Sequence, residues 1–139
     1  MSSKKLSVLF LGAALAIVFA AAPTAIAQQP LTVSASIGTD CQSKPATFTV
    51  PDGKTAHSFN LAKLEPGAAC HGEAAAPENK GFSIRDGKGR PVYTWSQYQT
   101  QKPYEKGGPL NSLSLIPGTY TLSMAGGAGA RVELSYQLK

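Results

Sequence analysis

Between residues 31 and 138 the chain falls into short runs in which apolar side chains return at every second position, separated by clusters rich in glycine, proline and aspartate. Successive side chains of a strand point to opposite faces, so this alternation predicts strands with one face in a core and the other in water. Eight runs qualify: residues 31–37, 46–50, 57–61, 81–85, 91–95, 110–116, 120–124 and 131–138. Phe48 and Val50 share a face, as do His57, Phe59 and Leu61, and then Val132, Leu134, Tyr136 and Leu138. The clusters between them have turn chemistry. Pro51-Asp52-Gly53-Lys54 and Asp86-Gly87-Lys88-Gly89-Arg90 read as glycine-bearing hairpin loops. The last three runs read as an antiparallel meander, joined by a type II turn at Pro117-Gly118 and a hairpin turn over Gly126-Gly-Ala-Gly. No following Lys-Ser/Thr or strand-to-helix context supports a phosphate loop at those glycines. With no convincing helix after residue 27, the expected fold is all-β: an antiparallel two-sheet β-sandwich of about eight strands, jelly-roll or Ig-like.

The first residues do not join this pattern. Lys4 and Lys5 precede an apolar run over residues 6–22, and Ala25-Ile26-Ala27 stands before Gln28. A basic start, an apolar stretch and an A-x-A exit make a secretory signal peptide of residues 1–27, with a single sandwich domain over 28–139. The apolar run is near the length of a membrane span, so an uncleaved anchor is the alternative; Pro23 and the small-residue exit favour cleavage, after which no stable membrane insertion is expected. Export implies a bacterial periplasmic or extracellular location. Cys41 and Cys70 are the two cysteines of the chain, and in an oxidising compartment they are expected to pair.

Charge narrows the functions. The net charge of +5 becomes +3 once Lys4 and Lys5 are removed, and the cations are spread without a run. Nucleic-acid binding calls for a concentrated basic stripe, and is not expected. No cofactor motif is present. Tyr93, Trp95, Tyr98 and Tyr104 lie within twelve residues, interleaved with Gln97, Gln99 and Gln101. Flat aromatic faces beside amides can hold a sugar ring or a peptide, so Trp95, Tyr98, Gln99 and Tyr104 form the candidate ligand-binding set, with carbohydrate or an envelope protein as partner. Core packing is the competing role for Tyr93 and Trp95. Residues 62–80 and 96–109 are long connections without alternation, the kind of loop that carries function on a rigid scaffold.

Residues 113–124, followed by Gly-Gly-Ala-Gly-Ala-Arg-Val-Glu-Leu-Ser-Tyr, resemble the closing strands of bacterial pre-peptidase C-terminal domains and similar exported β-sandwiches. The resemblance implies a non-catalytic module, without naming a ligand. The leading expectation is therefore a small exported binding or interaction protein. Two others stand beside it: a secreted hydrolase with His57 or His71 as base, and a metal-handling protein using His57, His71 and Glu73. No carboxylate pair or Cys-x-x-Cys spacing accompanies these residues.

Overall fold

A computed structural model describes residues 29–70, 80–96 and 109–139. These contain eight strands: β1 (Leu31–Ile37), β2 (Ser43–Lys44), β3 (Ala46–Val50), β4 (Ala56–Glu65), β5 (Gly81–Arg85), β6 (Pro91–Ser96), β7 (Gly118–Ala125) and β8 (Arg131–Leu138). They form two antiparallel four-stranded sheets, ordered β2-β1-β8-β4 and β3-β7-β5-β6. The alternation worked as expected, since the buried positions are those of the inward faces: Val33, Ala35 and Ile37, then Tyr120, Leu122 and Met124, then Val132, Leu134 and Tyr136. Aromatic rings knit the two sheets together. Phe48 of one sheet lies 5.3 Å from Tyr136 of the other and 5.7 Å from Tyr120, and Phe59 stacks on Tyr136 at 5.3 Å. Burial of such rings supplies most of the cohesion of a sandwich core.

The pairing differs from the expectation in three places. The closing meander does not form. β7 pairs with β3 and β5, whereas β8 pairs with β1 and β4, so the Gly126-Gly-Ala-Gly tract crosses from one sheet to the other. β3 and β4 likewise belong to different sheets, and the 51–54 loop is a crossover, with Gly53 at φ 74° as its turn demands. Residues 110–116 are not a strand. Leu110 and Leu115 are buried, but the backbone turns between them, and Leu115 makes one bridge with Ala56. Asn111 donates its side-chain amide to Phe59 O at 2.7 Å, occupying an acceptor that a neighbouring strand would otherwise use. At the end of this segment Gly118 opens β7 at φ 154°, too extended for the third position of a type II turn. The 86–90 hairpin forms as expected between β5 and β6. Asp86 accepts from the backbone amides of Arg90 and Lys88 at 3.0 and 2.9 Å, and these bonds hold its carboxyl below the ordinary value of 3.8.

A further departure lies inside β4, where two bulges shift the register against β8. Ser58, at φ 55°, is the extra residue of the first. As a result Ala56 and Phe59, three apart, both face the core, and His57 pairs with Gln137 on the outer side. His57 does not share a face with Phe59, because a bulge changes the phase of every side chain after it.

Cys41 and Cys70 are joined, with Cα atoms 5.9 Å apart. The bridge ties the β1–β2 turn to the far end of the segment after β4. Before reaching Cys70 that segment lies against the β7–β8 crossover, where Ala68 and Ala128 exchange backbone hydrogen bonds at 2.8 and 2.7 Å. A Cβ on Gly127 would overlap the Ala68 carbonyl oxygen, so this approach requires glycine there.

Candidate functional site

The outer face of the second sheet is built from small hydroxyl side chains. Cross-strand register sets them in rows: Ser96, Gly81 and Ala125 in one, Thr94, Ser83 and Ser123 in the next. Arg85 stands opposite Thr121 in the third, and Thr121 continues to Thr47 on β3. The alternation dictates this arrangement, since Phe82, Trp95 and Met124 point to the core and leave their neighbours facing out. Small residues in the first two rows, between the longer Lys80 and Arg85, leave a hollow of about 350 Å³ over β5, β6 and β7. Gly81 keeps the floor low: a Cβ there would come within 2.6 Å of the Trp95 carbonyl oxygen.

Serine and threonine hydroxyls both donate and accept, and the sheet offers them at fixed spacings. Arg85 adds a cation at the rim. One of its guanidinium nitrogens donates to Gly89 O at 2.8 Å, which steadies the group against the β5–β6 loop. Such a hollow can hold a hydroxyl-rich molecule by matched hydrogen bonds, and favours one carrying negative charge.

Of the ligand-binding set, Trp95 is described. It is 3% exposed and packs 5.9 Å from Phe82, so its ring belongs to the core, and with Phe82 and Met124 the residue also lines the hollow. Tyr93 is half-buried and also packs on Phe82, at 5.7 Å. Tyr98, Gln99 and Tyr104 lie outside the described residues, as do His71, Glu73 and the signal segment 1–27. His57 sits on the outer side of the other sheet, remote in the fold from the hollow. Its Nδ1 is 2.8 Å from Ser58 Oγ, a contact that braces the bulge. Among the described residues no group of three or more His, Cys, Asp or Glu could hold a metal ion.

Sequence reading missed the hydroxyl rows for a simple reason. Each strand by itself shows only one to three serines or threonines on its polar face, an ordinary solvated surface; the hollow exists only when three strands are set in register.

No protein-family model and no curated protein matches the chain.

Proposed function

We propose that the protein is a small exported, non-catalytic binding protein that takes an acidic carbohydrate in the hollow on the outer face of β5, β6 and β7. The observation that carries this reading is the hollow itself, floored by Ser83, Thr94, Ser96 and Ser123 and rimmed by Lys80 and Arg85. Hydroxyl rows match a sugar's alternating donors and acceptors, and the rim cations suit a uronate or a phosphorylated or sulfated sugar. A disulfide suits an oxidising compartment, and the signal-like start suits export to the periplasm or the medium. The resemblance to pre-peptidase C-terminal modules points the same way, towards a β-sandwich that binds and does not cleave. On this reading Tyr98, Gln99 and Tyr104, which follow β6 in sequence, take part in binding an envelope glycan or glycoprotein.

The test is calorimetric titration of acidic and matched neutral oligosaccharides. Acidic members should bind. Arg85→Ala should weaken them by about tenfold, the value of a charged hydrogen bond, and Ser123→Trp, which fills the floor, should abolish binding. Equal affinity for both series, or indifference to Ser123→Trp, would rule the site out.

A further inference from the structure

A second feature stands at one end of the sandwich. Register places the start of β1, the end of β3, the end of β5, the start of β6 and the start of β7 at the same end. Leu31 pairs with Tyr136 near the end of β8, Ala56 pairs with Leu138, Val50 with Gly118, and Arg85 with Pro91. The bridge between Ala56 and Leu115 joins the two sheets there.

The large hydrophobic side chains left exposed among the described residues are Leu31, Val92 and Ile116, and all three lie at this end. Scattered apolar side chains on a surface are ordinary, but their collection at one end is not. Ile116 is 72% exposed and is held out by a fixed backbone. Its own carbonyl accepts from Tyr120 Oη at 2.7 Å, the preceding Leu115 exchanges two hydrogen bonds with Ala56, and Pro117 follows. Facing it across a hollow of about 280 Å³ is the 86–90 loop with Lys88 and Arg90. Lys54 is exposed on the crossover loop at the same end of the sandwich. Of the acids there, Asp86 is bound to Arg90 at 2.9 Å and to the loop amides, which leaves Asp52 against Lys54 and Lys88.

From this combination we infer that this end of the sandwich is a peripheral docking face for an anionic lipid surface, with Ile116 entering the headgroup boundary and Lys54 and Lys88 meeting lipid phosphates. Rigid apolar tips ringed by cations suit that boundary, because the apolar group leaves water while the cations stay at the charged surface. Such contact is reversible adsorption, different in kind from a spanning anchor, and it leaves the hydroxyl hollow on the sheet face open.

Vesicle flotation of the full chain tests the inference. The protein should float with vesicles of equal parts phosphatidylcholine and phosphatidylglycerol more strongly than with phosphatidylcholine alone, and added salt should weaken the difference. Ile116→Ser should reduce binding by about tenfold. Lys88→Gln should reduce it about fivefold. Lys63→Gln, near the other end of β4, should change nothing. All three side chains are exposed, so the variants should unfold at the wild-type temperature. Equal binding to both vesicles, no binding to either, or full binding by Ile116→Ser would overturn the proposal. So would an Ile116→Ser effect confined to self-association, which would assign the tip to a second copy of the chain.

Discussion

Single residues decide how the chain departs from a regular sandwich. Ser58 occupies the left-handed region that L-residues enter at a cost of about 1–2 kcal/mol, and the bulge it creates puts Phe59 on the face opposite to His57. Gly127 acts by what it lacks. With no Cβ it lets the Ala68 carbonyl approach, which fastens the segment after β4 to the β7–β8 crossover. Gly127→Ala should therefore lose about 1–3 kcal/mol, because the obstructing atom is backbone and cannot swing away. Hydrogen exchange should speed up at the Ala68 and Ala128 amides in this variant. Gly53→Ala makes the comparison, for its Cβ would meet nothing within 4 Å and only the φ of 74° is penalised. It should leave the Ala68 and Ala128 amides protected.

Among the elements, the edges of the sheets show how the sandwich avoids pairing with its neighbours. β2 has two residues, β3 lies between Pro45 and Pro51, β4 is bulged and capped by Asn111, and β6 begins at Pro91. Each device denies a partner strand a long flat ladder. The 66–70 segment, although it has no strand, is held by the Ala68 bridge and by the Cys41–Cys70 crosslink. Reducing that crosslink, or replacing both cysteines by serine, should lower stability by about 3–4 kcal/mol on the chain-entropy account. Urea unfolding with and without a dithiol reductant measures it, and a change well under 1 kcal/mol would mean that the backbone bonds alone hold the segment. Cys41 sits at φ 66° in a turn closed by its amide to Gly38 O, a position that glycine usually fills. Its thiol is worth that conformation only because it meets Cys70.

For the molecule as a whole, the core is apolar with a few hydroxyl tips. Among the described residues every buried side-chain polar atom has a partner. Tyr93, Tyr120 and Tyr136 place their rings among apolar neighbours, and desolvation raises the pKa of each; for Tyr120 the charge of Asp86 adds to the rise. The sign follows from linkage. An unfolded tyrosine ionises near its ordinary value of 10.0, below the folded one, so the stabilisation is complete below that pH and drains away as pH climbs through the raised folded values. Thermal unfolding should accordingly shift downward above pH 10, and the ultraviolet tyrosinate signal of the native protein should lag that of the urea-unfolded chain. Superimposed titration curves would show that these phenols are wetter than their packing indicates.

What the chain alone determined is the identity of the inward residues outside β4, the all-β class, the 86–90 hairpin and the pairing of two cysteines. Those follow from nearest-neighbour facts: the pleat alternates whatever the strand's partner is, a turn depends on its own residues, and two thiols in one small domain have each other. Strand partners, the phase change at Ser58 and the hydroxyl hollow came only with the tertiary structure. A backbone ladder is chemically the same beside any strand, so residues 120–124 and 131–138 could as well have formed the hairpin their glycine turn suggests. Closing the inner faces of the two sheets over Phe48, Phe59, Tyr120 and Tyr136 separated them, and that same choice set Ser83, Thr94 and Ser123 side by side.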